Sequence, residues 1–117
     1  MTPDRKKAYR KGHRAERFAA FALQLKGYRI AARRFKTPVG EVDLIARKGR
    51  LIAFVEVKAR STVQGTLDSV GPAAMDRIEA AANWWLGQQA DAAELNWRFD
   101  VISVVPGKWP VHHTDVW

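Results

Sequence analysis

Apolar and polar residues alternate with two different periods along this chain, and each change of period marks an element. From about Pro3 to Lys26, Ala15, Phe18, Ala19, Ala22 and Leu25 recur at helical spacing, which predicts an amphipathic helix with Gly27 as its stop. "YRIAARRFK" reads as a short strand closed by Thr37-Pro38 and Gly40. Residues 40–60, "GEVDLIARKGRLIAFVEVKAR", switch to a period of two and predict a hairpin turning at Lys48-Gly49. "STVQGTLDSVG" is rich in turn formers and reads as a loop, after which Pro72 opens a second helix to about Leu86. Ala74, Ile78, Ala81 and Trp85 line the apolar face of that helix, with Met75 on its flank. "WRFDVISVVP" is a further long strand and "WPVHHTDVW" a short last one. This order implies an α/β fold for residues 1–117 as one domain: a mixed β-sheet with a central hairpin, flanked by two main helices.

The hairpin carries Glu41, Asp43, Glu56 and Lys58 where apolar packing is the norm. A two-residue loop at Lys48-Gly49 sets Glu41 opposite Glu56 and Asp43 opposite Phe54, so all four charges share one face, away from the turn. Val42, Leu44, Val55 and Val57 fill the other face. Asp43 and Glu56 are then diagonal neighbours, roughly 7–8 Å apart at their backbones. Paired carboxylates repel and lose hydration; a retained proton, a nearby cation such as Lys58 or a divalent metal relieves them. Oxygen donors without Cys or a well-placed His favour Mg²⁺ or Mn²⁺ over zinc. Lys58 would then position or deprotonate an attacking water and offset phosphate charge. The competing reading is a Glu56–Lys58 salt bridge beside solvated acids at a sheet end.

Composition narrows the classes. With 117 residues, 47% of them hydrophobic, the chain can bury one core, and the absence of cysteine excludes disulfides, thiolate metal sites and cysteine nucleophiles. The polar, basic start has no apolar run of signal or membrane-span type, so the expected location is cytoplasmic, with no membrane. The net charge of +8 is uneven. Residues 1–36 hold twelve Lys and Arg against Asp4 and Glu16, a net +10, while the remainder nets −2. Such a segment fits a polyanion, with Arg10, Lys11, Arg14, Arg17, Arg33 and Arg34 as phosphate contacts, or an ordinary solvated helix face. Arg60, after the hairpin, is a further candidate for phosphate.

With those residues in place, the sequence resembles the PD-(D/E)XK nuclease superfamily, whose pattern is an acid, a gap, and acid-x-lysine on a neighbouring strand. More closely it resembles the YraN-like family of bacterial proteins, related in fold to archaeal Holliday-junction resolvases. "RAERFAAFALQLKGYRI", "GEVDLIARKGRLIAFVEVKAR", "WWL" and "RFDVISV" follow that family in order, over roughly Gly12 to Val105. The resemblance implies a restriction-endonuclease-like core in which Asp43 and Glu56 are metal carboxylates and Lys58 is the catalytic lysine. It also implies that Glu16 is an extra acid at the metal; by spacing alone Glu16 equally suits an arginine partner on the surface. Val42 stands where the superfamily has a proline, and Ala74 where the family has a lysine, so either phosphate contact is weakened there or Arg77, the nearest base, substitutes in binding nucleic acid.

Trp84, Trp97, Trp109 and Trp117 suit packing better than base stacking, and Trp85 reads as core. His112 and His113 point to opposite faces of a strand, and Asp100, in an apolar strand, needs a partner if buried. The sequence therefore points to a Mg²⁺- or Mn²⁺-dependent endonuclease acting on DNA, including branched DNA, with a homodimer expected if it cuts junctions symmetrically. One rival is a non-catalytic nucleic-acid-binding module on the same fold. The other is an interaction protein whose basic helix docks on an acidic partner or membrane surface.

Overall fold

The computed structural model describes the backbone of residues 3–117 and the side chains from Gly12 onward, Leu67 excepted. Arg10 and Lys11, expected to contact phosphate, lie outside the described side chains. The elements are α1 (Pro3–Leu25), β1 (Arg29–Lys36), β2 (Glu41–Lys48), β3 (Leu51–Ala59), α2 (Val63–Asp68), α3 (Pro72–Leu86), β4 (Asn96–Val104) and β5 (Val111–His113), with a short 3-10 turn at Ala92–Glu94. The strands form one sheet in the order β1-β2-β3-β4-β5. The β3–β4 pair is parallel and the others are antiparallel, so α2 and α3 make the crossover between β3 and β4. The described residues are thus mixed α/β, with a five-stranded mixed sheet and three α-helices. The helix α2 was not foreseen: residues 63–68 lie in what reads as loop, and the turn is secured by Gly65 N–H donating to Thr62 Oγ1 and Thr66 N–H to the Thr62 carbonyl. Among the described residues no helix is long and apolar enough to cross a membrane.

β3 is the central strand, and Ile52 to Val57 are buried without a break because both faces are covered. On one face Ala15, Ala19, Ala20 and Leu23 of α1 pack on Leu44, Ala46, Ala53, Val55, Val57 and Ile102. On the other, Ile78, Ala81, Ala82 and Trp85 of α3 pack on Val42, Ile45, Ile52 and Phe54. The α1 stripe is rotated from the expected one: Leu23 is buried while Leu25 is exposed. Alanines let α1 lie close to the sheet.

The hairpin register departs from expectation by two residues. Lys48 pairs with Leu51 across a Gly49-Arg50 loop, with Gly49 at φ +62, and Ile45 pairs with Phe54. Only Gly adopts that left-handed conformation without strain, which draws the turn one residue on. A slip of two preserves which side chains share a face, and carried past the last pair it sets Asp43 against Glu56 rather than diagonal to it.

A second departure matters more. Leu44 packs on the α1 side but Val42 packs on the α3 side, where strict alternation puts both on one face. In β1, Ala32 and Phe35 likewise both pack on the α3 side. Arg33 pairs with Leu44 and Phe35 with Val42, so the break in both strands falls at Arg34 and Asp43. Arg34 holds φ +49, and β1 also shifts register between Ile30 and Ala32. A non-glycine residue at such a φ is strained and marks a site where side chains are re-aimed.

Candidate active site

At this break the sheet opens. β1–β2 pairing runs to Lys36↔Glu41 and β3–β4 pairing to Ala59↔Val104, but β2–β3 pairing stops at Leu44↔Val55. The parted strands are bridged by a side chain: Val57 N–H donates to Asp43 Oδ2 at 2.8 Å, where a ladder carbonyl would otherwise accept. The carboxylate of Asp43 is therefore fixed by the main chain of the strand that carries Glu56.

Glu56 is only 6% exposed. Its pKa is pushed up to about 8, first by burial, then by the hydrogen bond with Asp43 and the charge of that carboxylate. The Lys58 and Arg77 charges oppose the rise. Lys58 Nζ stands 4.0 Å from Glu56 Oε2, and both side chains are largely buried. Glu56 therefore favours its protonated form when nothing else neutralises the pair.

Glu16 arrives from α1 on the neighbouring side. Arg34 Nε donates to Glu16 Oε2 at 2.6 Å. Burial raises the Glu16 pKa, the Arg34 bond works against it, and the Asp43 charge raises it further. A cavity of about 170 Å³ is lined by Glu16, Arg34, Lys36, Glu41, Val42 and Asp43. Glu41 and Asp43 share this cavity with Glu16, while Glu56 and Lys58 are absent from its lining and connect to it through Asp43. Among the described residues, however, no three His, Asp or Glu side chains form a group that could hold a metal ion. Glu16 is held by Arg34, and the closest acidic pair is Asp43–Glu56.

Arg14, Arg17 and Arg33 are exposed on α1 and β1, and Arg17 and Arg33 line a second cavity beside Glu16 and Arg34. Arg34, expected on phosphate, is instead the ion-pair partner of Glu16. Arg60 is exposed, its Nη1 donating to the Ala59 carbonyl. Arg77 is exposed on α3, near enough for its charge to reach Glu56. Lys36 was missed altogether: an end-of-strand lysine gives no signal of its own, and only the fold brings it to the acids.

Gly40 seats the site against α3. A Cβ built there collides with the Arg77 carbonyl oxygen and comes within 3.2 Å of Ala81 N. Thr37 fixes the turn, its Oγ1 donating to the Gly40 carbonyl and accepting from Gly40 N–H. Asp100 lies apart from the acids and is fully buried. It accepts from Arg98 Nε at 2.9 Å, from His112 Nε2 at 2.7 Å and from Asp115 N–H at 2.9 Å. Burial alone would raise its pKa, but these bonds overcome that and hold it below the ordinary carboxylate value. His113 pairs instead with Ser103.

Comparison with known proteins adds a family to this geometry. Residues 15–104 match the model of the uncharacterised protein family UPF0102. The chain belongs to the UPF0102 family. It is 57% identical over 113 residues to a UPF0102 protein of Chelativorans sp. (strain BNC1), covering 97% of this chain and 91% of that one. A UPF0102 protein of Mesorhizobium japonicum is 56% identical over 108 residues, covering 92% and 86%. One from Rhizobium johnstonii is 50% identical over 115 residues, covering 98% and 94%. This is the YraN-like family that the motifs resemble. The matched segment begins at Ala15, one residue before Glu16, and runs through Asp43, Glu56 and Lys58.

Proposed function

We propose that this UPF0102 chain is a metal-dependent endonuclease of the PD-(D/E)XK type, acting on DNA from a restriction-endonuclease-like core. The observation that carries the reading is the Asp43–Glu56 carboxyl pair, set where β2 parts from β3 with the Lys58 ammonium 4.0 Å from Glu56. Such a pair has surplus negative charge and oxygen donors only, which suits Mg²⁺ or Mn²⁺; these ions take one or two protein carboxylates and fill their remaining positions with water and substrate phosphate. Asp43 and Glu56 would hold the ion, and Glu16 would join them only by giving up Arg34. Bound there, the ion supplies Lewis-acid polarisation of a phosphodiester oxygen and a more acidic water.

The chain's own groups do the rest. Lys58 orients the attacking water and offsets the charge that builds on phosphate, and its semi-buried setting strengthens both effects. Val57 N–H keeps Asp43 from turning away. Arg14, Arg17 and Arg33 bind the DNA backbone without reading sequence. A cytoplasmic location, a single domain and a dimer on branched DNA complete the proposal.

One observation favours the second reading, a non-catalytic nucleic-acid-binding module: Glu16 is committed to Arg34, so among the described residues the acids stop at a pair. Duplex, single-stranded, flap and four-way-junction DNA incubated with Mn²⁺ separate the two. The nuclease reading expects cutting of at least one substrate, with Lys58→Ala reducing the rate by about 10² or more and leaving binding within about threefold. Binding without cutting supports the module, and cutting that survives Asp43→Ala and Lys58→Ala contradicts the site assignment.

A further inference from the structure

A cavity of about 300 Å³ contains none of the carboxylates or Lys58 in its lining. It is lined by Arg14, Ala15 and Phe18 of α1, Ala59 at the end of β3, and Val104 and Pro106 after β4. Its walls are carbon except for the arginine. Two of its residues adjoin site residues in sequence: Ala15 precedes Glu16 and Ala59 follows Lys58. Phe18 meets Trp109 edge to face at 5.2 Å, and Trp109 also meets Phe21 at 6.3 Å. Trp109 and Phe21 are each about half exposed, so an aromatic rim continues from the cavity onto the surface.

We propose that this cavity takes one unpaired nucleobase of a bound nucleic acid, stacked against Phe18 and the Arg14 guanidinium. The proposal rests on the nucleic-acid reading of the preceding section. Three observations on the molecule choose this occupant. The size is at the bottom of the range for small-ligand pockets, about 300–1,000 Å³, which suits one flat ring system. A phenylalanine and an arginine are the two side-chain types that stack on bases whatever their identity. Exposed cations flank its lining residues along the chain, with Arg60 next to Ala59 and Arg17 one turn on from Arg14, and supply positive charge for the phosphates on either side of the base. The substrate class this implies is nucleic acid with an extrahelical or unpaired base, in preference to an uninterrupted duplex.

The test compares, in EDTA so that nothing is cut, a duplex bearing one extrahelical nucleotide with the same duplex carrying an abasic residue there and with a fully paired one. Fluorescence anisotropy of the labelled strand is the readout. The base-bearing bulge binds about tenfold tighter than the abasic one, and Phe18→Ala removes that gap while paired-duplex affinity stays within about twofold. Ala59→Leu fills the cavity without removing Phe18 and gives the same loss, so an unfolded Phe18→Ala protein does not decide the matter. Equal binding of both bulges by the unchanged protein, or a gap that persists in Ala59→Leu, overturns the base cavity while leaving backbone binding intact. No binding to any of the three overturns the nucleic-acid reading itself. Sedimentation showing a dimer that Ala59→Leu dissociates, with the gap unaltered, assigns the cavity to a second copy of the chain and overturns the proposal as well.

Discussion

Glu56 is the residue whose chemistry departs furthest from its ordinary state. Its folded-state pKa of about 8 lies above the ordinary 4.5, so folding favours the protonated form. Stability from this group is full below about pH 4.5 and is lost as pH rises towards 8. Without divalent cations the melting temperature should therefore fall between pH 5 and 8.5, by the equivalent of at most a few kcal/mol. Glu56→Gln removes that slope, and melts of the two proteins across the range measure the difference; identical slopes contradict the raised Glu56 pKa. Asp100 behaves in the opposite way. Its pKa is held low, so its contribution is present above the ordinary carboxylate value and fades as pH drops through the folded one. Asp100→Ala strands Arg98 and His112 and should cost about 3–5 kcal/mol in denaturant titrations at pH 7. A loss under about 1 kcal/mol means that water replaces the network.

At the scale of the elements, the parted strands β2 and β3 explain what the sequence disclosed and what it hid. Helices and strands were legible because their apolar periods are clear, and α3 begins at Pro72 and ends at Leu86 as the pattern implies. That Asp43 comes near Glu56 and Lys58 was legible because a hairpin sets its two strands side by side; the parity argument itself holds only as far as Leu44, where the ladder ends and alternation breaks. The paired break at Arg34 and Asp43 was not legible, since nothing local marks an arginine at φ +49. Nor was the Glu16–Arg34 pair, which depends on how α1 packs across the sheet; the spacing left Glu16 open between metal acid and arginine partner. Two substitutions test this geometry. Asp43→Asn keeps an oxygen for Val57 N–H and should hold stability near wild type, whereas Asp43→Ala leaves that N–H without its acceptor and costs about 1–3 kcal/mol. Equal stability of the two in urea titrations contradicts the bridging role. Gly40→Ala drives a methyl into the Arg77 carbonyl and should destabilise by about 1–3 kcal/mol, since backbone cannot yield as a side-chain tip can. An undiminished urea midpoint shows that the turn moves aside freely.

Over the whole molecule, charge is the organising feature. The first 36 residues net +10 and the rest net −2, while α1 covers one face of the sheet and its Arg17 lines a cavity with Glu16, Arg33 and Arg34. A binding surface of this kind acts through released counterions, so affinity for duplex should fall steeply between 50 and 200 mM salt. Arg14→Ala, Arg17→Ala and Arg33→Ala should each lower the log–log salt slope by about one, uniformly across sequences. Unchanged slopes place the interface elsewhere.

The account as a whole depends on Asp43 and Glu56 acting as one cation-binding unit. Titration calorimetry with Mn²⁺ near pH 7.5 tests this most directly, run in two buffers of different ionisation enthalpy. The expected result is saturable binding with proton release, abolished by Asp43→Asn and by Glu56→Gln and retained by Lys58→Ala. Binding of equal strength in all four proteins, or heats that do not depend on the buffer, contradicts it.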